Sequence, residues 1–123
     1  MRLPKGLLVF VLAACGNPDV ERGDRLARER RWTEAVEAYK QAIEKYPHDY
    51  DAAWGIARIY CNEVHMPDKC LAWTDKLLEA YPDRADYRRA AARGWRDQAE
   101  EARGRGDEAG ARDAELKATA LEK

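Results

Sequence analysis

Residues 32–47 read WTEAVEAYKQAIEKYP, and this segment indicates the fold class. Its apolar side chains recur at the i, i+3, i+4 spacing of one helix face, at Ala35, Tyr39, Ala42, Ile43 and Tyr46. Pro47 must end the helix, because proline has no backbone N–H and restrains the residue before it. The segment therefore predicts an amphipathic helix that stops at Tyr46.

The rest of the chain repeats this pattern. Amphipathic helices are predicted over residues 18–30, 33–46, 50–63, 68–80, 84–103 and 107–121. Thr33 and Asp107 are expected to be N-caps, since each precedes a glutamate that suits the positive end of the helix dipole. The sequence thus predicts an all-α protein.

Two similar phrases mark an internal repeat. Tyr46-Pro47-His48-Asp49 returns as Tyr81-Pro82-Asp83-Arg84, with the prolines 35 residues apart. Upstream of the first phrase stand a small residue, an aromatic residue and an Ala-x-x-x-Tyr element, at Gly23, Trp32, Ala35 and Tyr39. This arrangement resembles the tetratricopeptide repeat, whose period is about 34 residues.

The resemblance implies about three helical hairpins in a short right-handed α-solenoid over residues 20–123. Small residues at Gly23, Ala35 and Ala42 would let helices approach closely, while Tyr39 would fill the space between neighbouring hairpins. The second copy carries Cys70 and Thr74 where alanine and an aromatic residue are expected, and its turn is one residue longer. A degenerate third copy would cap the array. The alternative is an unrelated alanine-rich helical bundle.

The N-terminal residues resemble a targeting signal. A basic start and a short apolar run precede Leu12-Ala13-Ala14-Cys15, which resembles the bacterial lipoprotein box. The resemblance implies a signal peptide over 1–14, lipidation of Cys15, and a short tether over 15–19. Because Gly16 follows the cysteine, it also implies the outer membrane, facing the periplasm. An ordinary leader, or a buried N-terminal helix with an incidental cysteine, is the alternative.

Cys61 and Cys70 remain as an even pair. An exported domain meets an oxidising compartment, and the end of one helix lies near the start of its antiparallel partner. A disulfide is therefore predicted, with two buried thiols as the alternative.

Several function classes are disfavoured. The 22 basic and 23 acidic residues lack the basic excess of a nucleic-acid-binding protein. No serine is present, which excludes a Ser-His-Asp site. Cys61, His65 and Cys70 lack a fourth zinc ligand. We therefore expect no metal, cofactor, small-molecule substrate or catalytic activity.

The resemblance also implies a concave face lined by the first helix of each hairpin. Asp24, Ala27 and Cys61 fall on this face, and the candidate peptide-binding residues there are Arg28, Trp54, Arg58, Asn62, Arg89, Arg93 and Arg96. The last three follow the i, i+4, i+7 spacing of one helix stripe. Since arginine binds carboxylates bidentately, the hypothesis is an interaction module for an acidic peptide or envelope protein. A solvated charged face on a structural accessory subunit is the alternative.

Overall fold

The computed structural model describes residues 16–123, and the predictions for residues 1–14 and Cys15 lie outside this range. The described residues form three antiparallel helical hairpins and no strand. The six helices are α1 (Pro18–Arg28), α2 (Trp32–Lys45), α3 (Tyr50–Arg58, continued by a π-helical turn over Ile59–Glu63), α4 (Pro67–Ala80), α5 (Ala85–Gly104) and α6 (Glu108–Leu121). All predicted bounds agree with these within two residues, which confirms the all-α solenoid of helical hairpins. None of the described helices is both long and apolar enough to span a bilayer.

Tyr39 joins the first hairpin to the second. Its side chain is buried, and a Cβ atom placed on Gly23 or Gly55 would lie 2.6 or 2.5 Å from the ring. The Tyr39 hydroxyl donates a hydrogen bond of 2.5 Å to Asp24. Burial, with Asp24 beside it, raises the pKa of Tyr39 far above its ordinary value. Tyr39 thus fills the space between hairpins, as predicted, and two glycines make that space.

The third hairpin packs differently, because small side chains dominate its interface. Ala99 and Ala102 of α5 meet Ala111 and Ala114 of α6, with the half-buried Trp95 against them. Alanine at each contact lets the two helix backbones approach closely. The α5–α6 hairpin therefore ends the array with an interface made mainly of small side chains.

All three turns within the hairpins use a residue in the left-handed region. These residues are Arg30 with φ 61°, His65 with φ 49° and Gly106 with φ 79°. In the first and third turns the next N–H reaches the carbonyl five residues back, from Arg31 to Leu26 and from Asp107 to Ala102. This is a common way to end a helix.

The second turn is one residue longer. The N–H of Met66 bonds to the carbonyl of Tyr60, six residues back, at 2.9 Å. The N–H of Val64 bonds to the Ile59 carbonyl, five back, at 2.9 Å, which is a π-helical bond. The extra residue behind the 35-residue spacing is thus taken up as a π-helical turn at the end of α3.

The predicted disulfide between Cys61 and Cys70 is present and joins this π-helical turn to α4, with a Cα–Cα distance of 4.7 Å. Both cysteines are fully buried. Gly94 of α5 lies directly over the bridge, since a Cβ atom there would be 2.6 Å from the Cys70 sulfur. The placement of Cys61 on the concave face is therefore wrong, because its side chain points into the core.

Two details of the helix starts also differ from prediction. Thr33 is not an N-cap, because the tight turn through Arg30 lets α2 begin at Trp32 and leaves Arg31 in the cap position. Asp107 does cap α6, accepting from the Gly110 N–H at 2.8 Å. The tether prediction is too long: α1 begins at Pro18, so residues 18–19 are helical.

The helices run between two ends of the molecule. The inter-hairpin end carries residues 16–17, 46–49, 81–84 and 122–123, and the hairpin-turn end carries 29–31, 64–66 and 105–107. At the inter-hairpin end Asn17 donates to Asp49 at 3.0 Å, and Arg88 donates to the Leu121 carbonyl at 2.9 Å. The first bond ties the first hairpin to the second, and the other ties the two helices of the third hairpin together.

Candidate functional site

Two adjoining cavities run along α1, α3 and α5, and together we call them the concave groove. The first has a volume of about 490 Å³ and the second about 590 Å³, and Asn62 lines both. All seven predicted residues line one or both cavities: Arg28 and Arg58 the first, Trp54, Arg89, Arg93 and Arg96 the second, and Asn62 both. The sequence therefore predicted residues that the fold brings to one face.

Trp54 lines the second cavity. Its ring packs against Tyr87 with a centroid distance of 5.0 Å. The guanidinium carbon of Arg58 lies 5.7 Å from the Trp54 ring centroid, a cation–π distance. Trp54 is half-buried, so one part of the ring belongs to the core and the rest is open to the groove.

Four groove arginines are exposed and lie beyond ion-pair distance of every described carboxylate. They are Arg28, Arg58, Arg89 and Arg93. Arg31 at the hairpin-turn end, by contrast, is paired with Glu34 and Glu29. The four groove guanidinium groups thus keep their donors available to a ligand.

Arg96 differs from the other four, because the chain itself supplies its carboxylate. Both oxygens of Glu122 contact the Arg96 guanidinium. Hydrogen bonds from Arg96 lower the pKa of Glu122, and those to Glu122 raise the pKa of Arg96. The C-terminal end of the described chain therefore occupies one end of the groove.

The sequence analysis placed Asp24 on this face, and it lines the first cavity, but the other acidic residues of the groove were missed. Asp86, Asp97, Glu100 and Glu122 all line the second cavity. Asp97 lies 3.0 Å from the Nδ1 atom of His65, and Asp86 lies 3.2 Å from Arg84, which leaves Glu100 outside these pairs. Asp97 and Glu100 stand four and seven residues after Arg93, so the stripe that revealed the arginines also carried these acids.

The described residues do not include a cluster of metal-ligating side chains. Between residues 16 and 123, no group of three His, Cys, Asp or Glu side chains could hold an ion. What the groove offers instead is hydrogen-bond donors, an aromatic side chain and charges of both signs, since five arginines and six carboxylates line its two cavities.

Comparison with known families agrees with the hairpin architecture. A family model described as the tetratricopeptide repeat matches residues 26–94. The match runs from the end of α1 to the middle of α5, and it covers every candidate peptide-binding residue except Arg96. No curated protein sequence matches the chain.

Proposed function

Because the chain belongs to the tetratricopeptide repeat family, whose members are typically non-catalytic protein-interaction modules, we propose that it is an interaction module anchored in the bacterial cell envelope. In this proposal the concave groove binds an acidic peptide segment of another envelope protein. Binding uses no cofactor, nucleic acid or small-molecule substrate.

The single observation that carries the peptide proposal is the set of four exposed groove arginines. Arg28 and Arg58 face one cavity, and Arg89 and Arg93 face the other. A guanidinium group matches a carboxylate with two parallel hydrogen bonds, stronger than neutral ones. An extended peptide crossing both cavities would meet these donors in succession, and it would meet the Trp54 ring in the second cavity.

The anchor is supported by the sequence alone. The apolar run ending at Leu12-Ala13-Ala14-Cys15 fits lipidation of Cys15 after removal of residues 1–14. Two or more acyl chains are needed for stable anchoring, since one chain binds a membrane only marginally. We assign the chain to the outer membrane, facing the periplasm, because Gly16 and not an aspartate follows the cysteine.

Charge reversal of the groove tests the peptide proposal. The variant carries Arg58→Glu, Arg89→Glu and Arg93→Glu, while Arg96 is left intact because Glu122 already occupies it. The probe is a fluorescent peptide of six glutamates, with six glutamines as the neutral comparison. We expect the variant to bind hexaglutamate at least about tenfold more weakly, a loss of about 1.4 kcal/mol. Wild-type binding should weaken with salt, because a Debye length of about 8 Å screens exposed charges.

A matched control changes the same charge elsewhere. Arg25, Arg105 and Arg112 are exposed and line neither groove cavity, so replacing all three by glutamate should leave most of the affinity. Both variants should stay folded by circular dichroism, because surface substitutions usually change stability by under about 0.5 kcal/mol each. Equal affinities for the two folded variants would reduce the arginines to a solvated face and favour the accessory-subunit alternative.

A further inference from the structure

The inter-hairpin end of the molecule presents two exposed tyrosines. Tyr46 is 57% exposed and Tyr81 is 46% exposed. Each stands directly before the proline that ends a hairpin, so the two occupy equivalent positions of successive repeats. Together with the first described residue, Gly16, they lie on the same end of the helices.

Tyr81 is held in place by other aromatic rings. Its ring centroid lies 5.4 Å from that of Tyr50, with the planes nearly perpendicular, and 6.4 Å from that of Tyr87. These contacts hold the Tyr81 ring in place, while nearly half of the side chain remains exposed to solvent. A tyrosine in this state presents an apolar ring and a polar hydroxyl, the combination that is enriched at membrane–water interfaces.

The N-terminus is tied to this same end. Asn17 caps α1 through the Asp19 N–H at 3.0 Å and donates to Asp49, in the turn that carries Tyr46, at 3.0 Å. Only Gly16 separates Asn17 from Cys15 in the sequence. The proposed site of acylation is therefore only two residues along the chain from Asn17, which lies at the inter-hairpin end.

We propose that the inter-hairpin end docks on the headgroup region of the bilayer that holds the lipid anchor, with Tyr46 and Tyr81 entering the interface. This inference rests on the proposed acylation of Cys15. The six helices then stand on the membrane, the hairpin-turn end points away from it, and the concave groove opens to the side. Charges of both signs at this end, such as Lys45, Asp83 and Arg84, mean that docking does not require an anionic lipid.

A tryptophan introduced at one or the other end of the molecule can be used to measure this orientation. The full acylated chain, carrying Tyr46→Trp, is reconstituted into phosphatidylethanolamine–phosphatidylcholine vesicles with a fraction of lipid quencher-labelled at the headgroup. Met66→Trp is the matched control, because Met66 is 42% exposed at the opposite end. After subtraction of the wild-type signal from the four native tryptophans, we expect the fluorescence of Tyr46→Trp to be quenched at least threefold more than that of Met66→Trp. Equal quenching in acylated, vesicle-bound protein would overturn the docking inference and leave the anchor intact.

A separate measurement distinguishes failure of the anchor itself. Cys15→Ala is compared with the unchanged chain for lipid incorporation and for fractionation with membranes. Lipid uptake and membrane fractionation lost only in Cys15→Ala would support acylation. If the unchanged chain took up no lipid and behaved like Cys15→Ala, the proposed anchor and the docking inference would both be wrong.

Discussion

Asp19 shows how one carboxylate can hold two helices together. It is only 5% exposed, yet it lies 2.9 Å from the ammonium of Lys45 at the end of α2 and 2.8 Å from Arg22 on its own helix. The hydrogen bond from Lys45, aided by both positive charges, holds the pKa of Asp19 below its ordinary value. The ionised form is therefore the one that the folded state favours.

This pKa shift predicts how stability depends on pH. A carboxylate whose pKa is lower in the folded than in the unfolded chain stabilises the fold above its unfolded pKa of 3.8. That contribution is lost as the pH falls through the lower, folded-state pKa. We expect Asp19→Asn to reduce the free energy of unfolding at pH 7 and to flatten its decline in acid, measured by urea denaturation from pH 7 to about pH 2.

Asp113 provides the comparison for Asp19. It forms an exposed pair with Lys117 one turn along α6, at 3.2 Å, and such pairs contribute little. Asp113→Asn should leave the urea curves close to wild type at every pH. Parallel pH profiles for wild type and Asp19→Asn would contradict the role given to Asp19.

Among the elements, contact between the first two hairpins depends on two glycines. At Gly23 and Gly55 an added methyl group would meet the buried ring of Tyr39 at 2.6 and 2.5 Å. The ring cannot easily move away, because its hydroxyl is bonded to Asp24. Overpacking of this kind costs about 1–3 kcal/mol, and we expect Gly23→Ala and Gly55→Ala each to lower the free energy of unfolding by that amount.

Gly104 is the control for these substitutions. It also lies in a helix, but no atom comes within 4 Å of a Cβ atom placed there. Gly104→Ala should be neutral or stabilising by up to about 1 kcal/mol, since alanine favours helix. Urea denaturation measures all three variants, and a similar effect at Gly104 and Gly55 would mean that loss of glycine, not contact with Tyr39, sets the cost.

The sequence predicted these elements well because helix periodicity and proline stops are local signals. The spacing of Pro47 and Pro82 also indicated an extra residue in the second hairpin. It did not reveal a π-helical turn, because a longer loop and a π-helical turn have the same length. In the structure with the π-helical turn, the disulfide between Cys61 and Cys70 packs beneath Gly94. The contact with Gly94 joins residues that are far apart in sequence.

The groove, like the helices, was predictable from the sequence only in its local features. The stripe from Arg89 to Arg96 could be seen in one helix, whereas the contact of Arg96 with Glu122 spans 26 residues and depends on where α6 ends. Thr33 was misjudged for a similar reason: the start of α2 is set by the conformation of Arg30, not by cap preference. Sequence patterns thus indicated which faces form, and tertiary contacts decided how their charges pair.

In the molecule as a whole, α6 closes the array of hairpins. It covers Ala99 and Ala102 of α5 and presents polar side chains outward, as a terminal repeat must in order to remain soluble. The largest core cluster is shared by the first two hairpins and reaches Ala90 of the third, and about three repeats are the minimum for stability. We therefore expect the three hairpins to unfold together.

A charge placed under α6 tests this cooperativity. Ala114 is 5% exposed at the α5–α6 interface, whereas Leu116 on the same helix is 70% exposed. Ala114→Arg should cost about 3 kcal/mol, because it buries an unpaired charge in a close-packed contact, and Leu116→Arg should change stability by less than about 0.5 kcal/mol. In Ala114→Arg, circular dichroism and the fluorescence of Trp32, in the first hairpin, with the other three tryptophans replaced by phenylalanine, should report one shared transition at lower temperature. If Trp32 instead kept its wild-type transition while part of the helix signal melted early, the first hairpin would be stable without its cap and the array would not unfold as one unit.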